Sequence, residues 1–183
     1  MKLRSWHSAA VLLVAMAAMG ADAPPVTIHI GGSDLKGADL SISDIQTQLA
    51  AEIKPVQYNS HGAMHTFACV PLVSLLKLAG AHTDFVMGGS SDPKVKNPQM
   101  RQAVIVSGSD GYTVVFSMAE ILPMVGDRTV WVALDEDGKP LAASDGPARL
   151  IVPGDKMPPR AVHQVADIEV VQLGPPATQP ANP

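Results

Sequence analysis

The single cysteine is the most reactive residue type in this sequence. Cys69 lies in the segment HTFACVPLVSLLKLAG, four residues after His65. A lone thiol beside a histidine can be a metal ligand, a nucleophile or a small buried side chain. One cysteine cannot form a disulfide within the chain, so we expect the fold to be held by packing alone. The surroundings of Cys69 must decide between the three roles.

The pair His61 and His65, in the segment HGAMH, is a second group with metal-binding chemistry. Two imidazoles four residues apart on a helix can hold one metal ion, but Gly62 and the strand-like pattern around it disfavour a helix. His29 and His163 could serve as further ligands only if the fold brought them close. We therefore predict no metal site, and a copper or zinc site at His61 and His65 is the alternative.

A basic cluster near the end of the chain is the main candidate for ligand binding. It lies in and just before the loop PGDKMPPRAVHQ and consists of Arg149, Lys156, Arg160 and His163. Arginine and lysine side chains beside glycine-exposed backbone amides are the groups that bind phosphate. The simpler interpretation is a solvated loop whose basic residues offset nearby acids, with Arg149 partly buried against a carboxylate. Our hypothesis is that the loop keeps a weak affinity for anions.

Motifs for other kinds of catalysis are missing from the sequence. It contains no G-x-S-x-G nucleophile elbow and no Walker-type phosphate loop. Asp135, Glu136 and Asp137 are typical of a solvated hairpin turn, and Asp110 is typical of a turn former. None of these acidic residues specifies a reaction.

The elements that must position these residues are mostly short strands. Alternation and turn residues predict strands at residues 24–30, 38–42, 55–59, 64–68, 103–107, 112–116, 129–134, 149–152 and 166–171. Short helices are predicted after the cap residue Ser43, from Pro71, and after the cap residue Ser117. Strands and helices do not alternate regularly. We therefore predict a mixed α+β domain of mostly antiparallel short strands with three or four short helices, rather than a doubly wound sheet.

The beginning of the chain predicts export. Lys2 and Arg4 precede an apolar run at residues 9–19, and small residues follow, which is typical of a secretory signal peptide. The run is too short for a membrane anchor. No Arg-Arg pair precedes it, so we expect Sec-type export of the unfolded chain to the periplasm or the outside. We predict a signal peptide over residues 1–20, with cleavage at about 20–23.

One domain is predicted to follow the signal peptide. It covers residues 24–172, and the proline-rich segment 173–183 is predicted to be a disordered tail. The whole chain has a formal net charge of −4 and shows no basic stripe. A nucleic-acid partner is therefore not expected.

Four segments of this domain together resemble a known family. FACVPLVSLLKLAG, VIVSGSDGYTVVFSMAEI, DEDGKPL and GPARLIVPGDKMPPRAVHQ are similar in order and spacing to the oxidoreductase molybdopterin-binding domain. The resemblance covers residues 25–172 and points to the small, stand-alone exported members. It implies a fold of the sulfite-oxidase type with a cofactor cleft. It also implies that the basic cluster would contact the phosphate of a pterin.

The resemblance also implies a molybdenum ligand that this chain lacks. Catalytic members hold molybdenum through a cysteine upstream of the helix start, and the matching segment VQYNSHGA, residues 56–63, has no cysteine. Cys69 stands where the family usually has glycine. A chain exported unfolded would also lose a cofactor inserted in the cytoplasm. We therefore expect no cofactor and a non-catalytic module for a small anionic ligand or a periplasmic protein. The alternative is a molybdopterin-dependent oxidoreductase of the sulfite oxidase type.

Overall fold

The computed structural model describes residues 26–33, 35–84 and 96–174. Its strands within these residues are β1 Thr27–Gly32, β2 Ala38–Ser41, β3 Lys54–Ser60, β4 Ala63–Pro71, β5 Gln102–Gly108, β6 Thr113–Ser117, β7 Trp131–Glu136, β8 Lys139–Pro140, β9 Arg149–Ile151 and β10 Val165–Gln172. Its α-helices are α1 Ile42–Gln48, α2 Leu72–Leu78 and α3 Met118–Ile121. The predicted signal peptide lies outside the described residues, and so does the predicted tail from residue 175 onward. No helix in the described part of the chain has the length and apolar character needed to cross a membrane.

The strands form two sheets. The first sheet has the order β2-β1-β10-β5-β6, and the second has the order β3-β4-β7-β8, with β9 also paired to β7. Among the described strands, only β1 and β10 pair in parallel. Mostly antiparallel strands with three short helices confirm the predicted mixed α+β class. Each of the nine predicted strands overlaps an observed one.

The hairpin between β5 and β6 shows how turn residues set strand pairing. The Oδ1 atom of Asp110 accepts a hydrogen bond from the backbone N–H of Tyr112 at 2.9 Å. Gly111 has a φ of 85°, a conformation that glycine adopts at little cost. The expectation that Asp110 forms a turn is therefore confirmed.

The start of helix α1 differs from the prediction. Ser41, not Ser43, is the N-cap: its side chain accepts a hydrogen bond from the Asp44 N–H at 3.1 Å. The Asp44 carboxylate in turn accepts one from the Ser41 N–H at 2.9 Å. The sequence contains two overlapping patterns of this kind, Ser41 with Asp44 and Ser43 with Gln46. The acidic pattern is used because a carboxylate in the first turn also interacts favourably with the helix dipole.

The second sheet has two different faces. Because side chains alternate along a strand, Val70, Val132 and Leu150 face the main core, which the sheet shares with the first sheet and the helices. A separate small cluster on the opposite side consists of Phe67, Cys69, Ala133 and Ile151. We call this opposite side the outer face. It carries the polar and charged groups considered next.

Candidate functional site

Arg149 is one of two buried charged residues in the described part of the chain, and the other is Asp145. Its side chain leaves strand β9, is 4% exposed, and lies 5.8 Å from the ring centres of Tyr58 and Phe67. Its Nη1 donates hydrogen bonds to Ser60 Oγ at 2.7 Å and to Asp145 Oδ2 at 3.3 Å. Its Nε is buried and has no hydrogen-bond partner among the described residues. The guanidinium charge is thus balanced inside the protein by one buried carboxylate.

His163 shares that carboxylate with Arg149. Its Nδ1 lies 2.6 Å from Asp145 Oδ1. The same carboxylate thus contacts Arg149 through one oxygen and His163 through the other. The ring of His61 lies 6.4 Å from that of His163, centre to centre. Two members of the predicted basic cluster, Arg149 and His163, therefore meet at Asp145.

Arg160 belongs to a second ion-pair group. Its Nε and Nη2 donate to the two oxygens of Asp155 at 2.7 and 2.6 Å, and its Nη1 donates to Glu120 at 3.1 Å. Its guanidinium also stacks 4.8 Å from the ring centre of Phe116. The hydrogen bonds from Arg160 lower the pKa of Asp155, and those to Asp155 raise the pKa of Arg160. The bidentate pair with Asp155 lies within the predicted anion loop, and the single bond to Glu120 joins that loop to helix α3.

Arg128 completes the second group. Its Nε lies 3.1 Å from Glu120 Oε1, and its Nη1 donates to Asp155 Oδ1 at 3.2 Å. Gly126 lets the backbone before Arg128 approach α3 closely, because a Cβ at that position would lie 2.4 Å from the Glu120 carbonyl oxygen. The Arg128 side chain is 41% exposed. Two carboxylates, Glu120 and Asp155, which both also pair with Arg160, thus hold Arg128 in a defined position while part of its side chain faces solvent.

A cleft opens beside this group, where strand β7 begins. It comprises two adjoining cavities of about 190 and 460 Å³. The walls that the two cavities share are Asp127, Arg128, Thr129 and Trp131. Lys54, on the edge strand β3, lines the first cavity, and Pro153 and Gly154 line the second. We call this the Trp131 cleft.

The Trp131 cleft combines two cationic side chains with an aromatic wall. Lys54 is exposed, and the one carboxylate in the lining is that of Asp127. The described lining contains no histidine and no cysteine. Such a cleft can bind a small anion that carries a flat ring, with the charges on Lys54 and Arg128 and the ring against Trp131.

The four residues of the predicted basic cluster do not form one site. Arg149 and His163 share Asp145, and Arg160 is paired with Asp155. Lys156 is exposed and forms no ion pair with a described residue. The predicted loop nevertheless reaches the Trp131 cleft, through Pro153 and Gly154.

The cleft residues Lys54, Arg128 and Trp131 were not predicted as site residues. The sequence holds a signal for one of them, because Trp131 alternates with the core residue Val132 at the start of a predicted strand and so faces away from the main core.

His61 and His65 lie in different surroundings. The segment HGAMH forms a turn and the beginning of β4, so the expectation that it is not a helix is confirmed. His61 is in the turn, and His65 Nδ1 lies 2.9 Å from both Glu136 Oε1 and Asp137 Oδ2. The Thr66 N–H and, secondarily, His65 lower the pKa of Asp137 by hydrogen bonding to its carboxylate.

Cys69 has the surroundings of a structural side chain. It lies within β4, is fully buried, and its thiol donates to the Phe67 carbonyl oxygen at 3.6 Å. Burial, and secondarily the charge of Asp135, raises its pKa to about 12. A thiol with a raised pKa is a poor nucleophile near neutral pH, and its complete burial inside β4 separates Cys69 from solvent and from ions in solution.

Comparison with known proteins does not assign a family. No protein-family model matches the chain, and no curated protein matches it. What the chain does must therefore be inferred from its own residues.

Proposed function

We propose that this chain is an exported, non-catalytic binding module on a fold of the sulfite-oxidase molybdopterin-domain type. Its ligand is a small anion with a flat ring, and its site is the Trp131 cleft. The observation that carries the proposal is the convergence of Lys54, Arg128 and Trp131 on one cleft, beside the loop that the family resemblance associates with a pterin phosphate.

Arg128 is prepared for such a ligand by its neighbours. Its Nε and Nη1 are engaged by Glu120 and Asp155, whereas Nη2 has no ion pair or hydrogen bond to a described residue. The guanidinium is therefore held in place and still offers two N–H donors to an anion. Little side-chain entropy remains to be lost on binding, which favours affinity.

Lys54 and Trp131 provide complementary contacts. Lys54 supplies a compact positive charge from strand β3 on the other side of the cleft. Trp131 is partly buried against the outer-face cluster, so its ring is supported from behind while it lines both cavities. An aromatic wall favours a flat ring over an aliphatic chain of equal charge.

The residues do not fit a molybdenum centre. The resemblance requires a cysteine thiolate, and Cys69, the only cysteine, is a buried thiol inside β4 with a raised pKa. Lys54 and Arg128, which line the first cavity together, do suit a phosphate. The chain therefore has groups for the anionic part of a pterin and none of the thiolate chemistry of the oxidoreductase alternative.

Calorimetric titration with a phosphorylated pterin tests the proposal. We expect measurable binding to the unaltered chain, and a loss of affinity of about tenfold or more for Arg128→Gln and for Lys54→Gln, because each removes a charge-assisted contact. Lys36→Gln is the matched control, since Lys36 is also an exposed lysine but does not line the cleft. The same pterin without phosphate should bind more weakly.

Two results would contradict the proposal. One is equal affinity of the unaltered chain, Arg128→Gln and Lys54→Gln for the phosphorylated pterin. The other is about one molybdenum per chain in protein purified from its native compartment, which would establish the oxidoreductase alternative.

A further inference from the structure

We propose that His65, Glu136 and Asp137 form a binding site for a divalent transition-metal ion, for which zinc is the reference ion. The site is separate from the Trp131 cleft and does not depend on the proposed function. His65 comes from strand β4, Glu136 ends the neighbouring strand β7, and Asp137 begins the turn to β8. Their ligand atoms all lie within 4.8 Å of one another.

The distances show two carboxylates directed at one imidazole nitrogen. His65 Nδ1 is 2.9 Å from Glu136 Oε1 and 2.9 Å from Asp137 Oδ2. A neutral imidazole has one proton at most on this nitrogen, so it cannot donate a full hydrogen bond to both oxygens. A metal ion can replace that proton and bind all three atoms. Zinc lies about 2.1 Å from such nitrogen and oxygen ligands, so the two distances from His65 Nδ1 to the carboxylate oxygens need to lengthen by only about 0.5 Å.

The backbone holds the site in shape. Thr66 N–H donates to Asp137 Oδ1 at 2.9 Å, and the Asp137 N–H donates to the Thr66 carbonyl oxygen at 2.8 Å. These two bonds leave Asp137 Oδ2 directed at His65. The His65 ring also packs against Phe67, with ring centres 6.3 Å apart. Supported ligands of this kind need little rearrangement when an ion binds.

Exposure and charge also suit a metal ion. The side chains of His65, Glu136 and Asp137 are 29%, 22% and 54% exposed, so water can complete the coordination shell. Two carboxylate side chains and one imidazole make up the group. One nitrogen with two carboxylate oxygens favours zinc or copper over magnesium, which prefers oxygen ligands alone.

Two other histidine groups in the described residues provide contrast. His29 contacts one carboxylate, Asp39, at 2.8 Å, and this pair is exposed on the first sheet. His163 contacts Asp145, but Arg149 already balances that charge and would repel a cation. Among the described histidines, His65 is contacted by two carboxylates that form no ion pair with an arginine or lysine of the described residues, although Lys139 lies opposite Glu136 in the β7–β8 pairing.

Zinc titration of the full chain by calorimetry tests the site. We expect one ion per chain and no heat from magnesium under the same conditions. Zinc binding should weaken by about tenfold or more in each of the variants His65→Gln, Glu136→Gln and Asp137→Asn. Loss of a direct ligand lowers metal affinity at least as much as loss of a residue that only supports a ligand. His29→Gln is the matched control and should bind zinc as the unaltered chain does.

The thermal midpoint provides a second measurement that also checks folding. Zinc should raise it in the unaltered chain and in His29→Gln, and should raise it clearly less at the same zinc concentration in Glu136→Gln. The proposal is overturned if zinc does not bind at micromolar concentration. It is also overturned if His61→Gln or His163→Gln abolishes binding while Glu136→Gln leaves it intact.

Discussion

Replacing Asp145 by asparagine should strongly destabilise the fold, because Asp145 is the carboxylate that balances buried Arg149. The two charged groups are 3.3 Å apart and each residue is 4% exposed. At an effective dielectric constant of about 20, unit charges at this distance attract by about 5 kcal/mol. Removal of one partner of a buried pair typically costs about 3–5 kcal/mol. We therefore expect Asp145→Asn to lower the free energy of unfolding by about 3 kcal/mol or more.

Urea denaturation at neutral pH, followed by circular dichroism, measures this loss. The matched control is His163→Gln, which removes the other partner of Asp145 and keeps the buried pair. We expect that control to lose about 1 kcal/mol or less, the usual net value of one hydrogen bond. Adding Arg149→Met to Asp145→Asn removes the unbalanced charge, so it should restore part of the lost stability. If Asp145→Asn alone costs less than about 1 kcal/mol, the reasoning about Arg149 is wrong.

Two further predictions concern single residues. Cys69 should not react with iodoacetamide at pH 8 in the folded protein and should react in urea, because its thiol is buried and its pKa is about 12. Labelling followed by mass spectrometry checks this. Rapid labelling of the folded chain would show that the thiol is accessible and would contradict the prediction. Arg160 lowers the pKa of Asp155 in the folded protein. Their pairing therefore stabilises the fold at pH values above the ordinary carboxyl pKa. This stabilisation is lost as the pH falls through the lowered pKa of Asp155. Asp155→Asn should therefore lose less stability than the unaltered chain on acidification below about pH 4; equal losses in urea titrations at pH 3 and pH 6 would refute it.

The fold class was predictable because it depends on local patterns. Alternating residues and turn formers such as Asp110 and Gly111 act over a few positions, and the strands they predict are present. The cap of helix α1 was missed because two serines two residues apart both fit a capping pattern. Which of the two serines caps the helix depends on the acidic partner Asp44, which also interacts with the helix dipole.

The site was less predictable because its contacts join distant parts of the chain. Arg160 was correctly identified as a basic residue of the loop, but its partner Glu120 is 40 positions away. His65 and Asp137 are 72 positions apart. A sequence pattern shows which residues carry charge, whereas only the sheet pairing shows which charges neutralise each other. This is why Arg149 and His163 belong to one ion-pair group, Arg160 belongs to another and Lys156 to neither among the described residues, while the cleft forms from other residues.

The fluorescence of Trp131 during titration tests the central claim most directly. Trp6 and Trp131 are the only tryptophans, so a Trp6→Phe chain reports on the cleft alone. We predict that a phosphorylated pterin changes the Trp131 emission in a saturable way, and that Arg128→Gln in the same chain shifts the midpoint to about tenfold higher concentration or more. Saturable binding by calorimetry without any change in Trp131 emission would contradict the assignment of the ligand to this cleft.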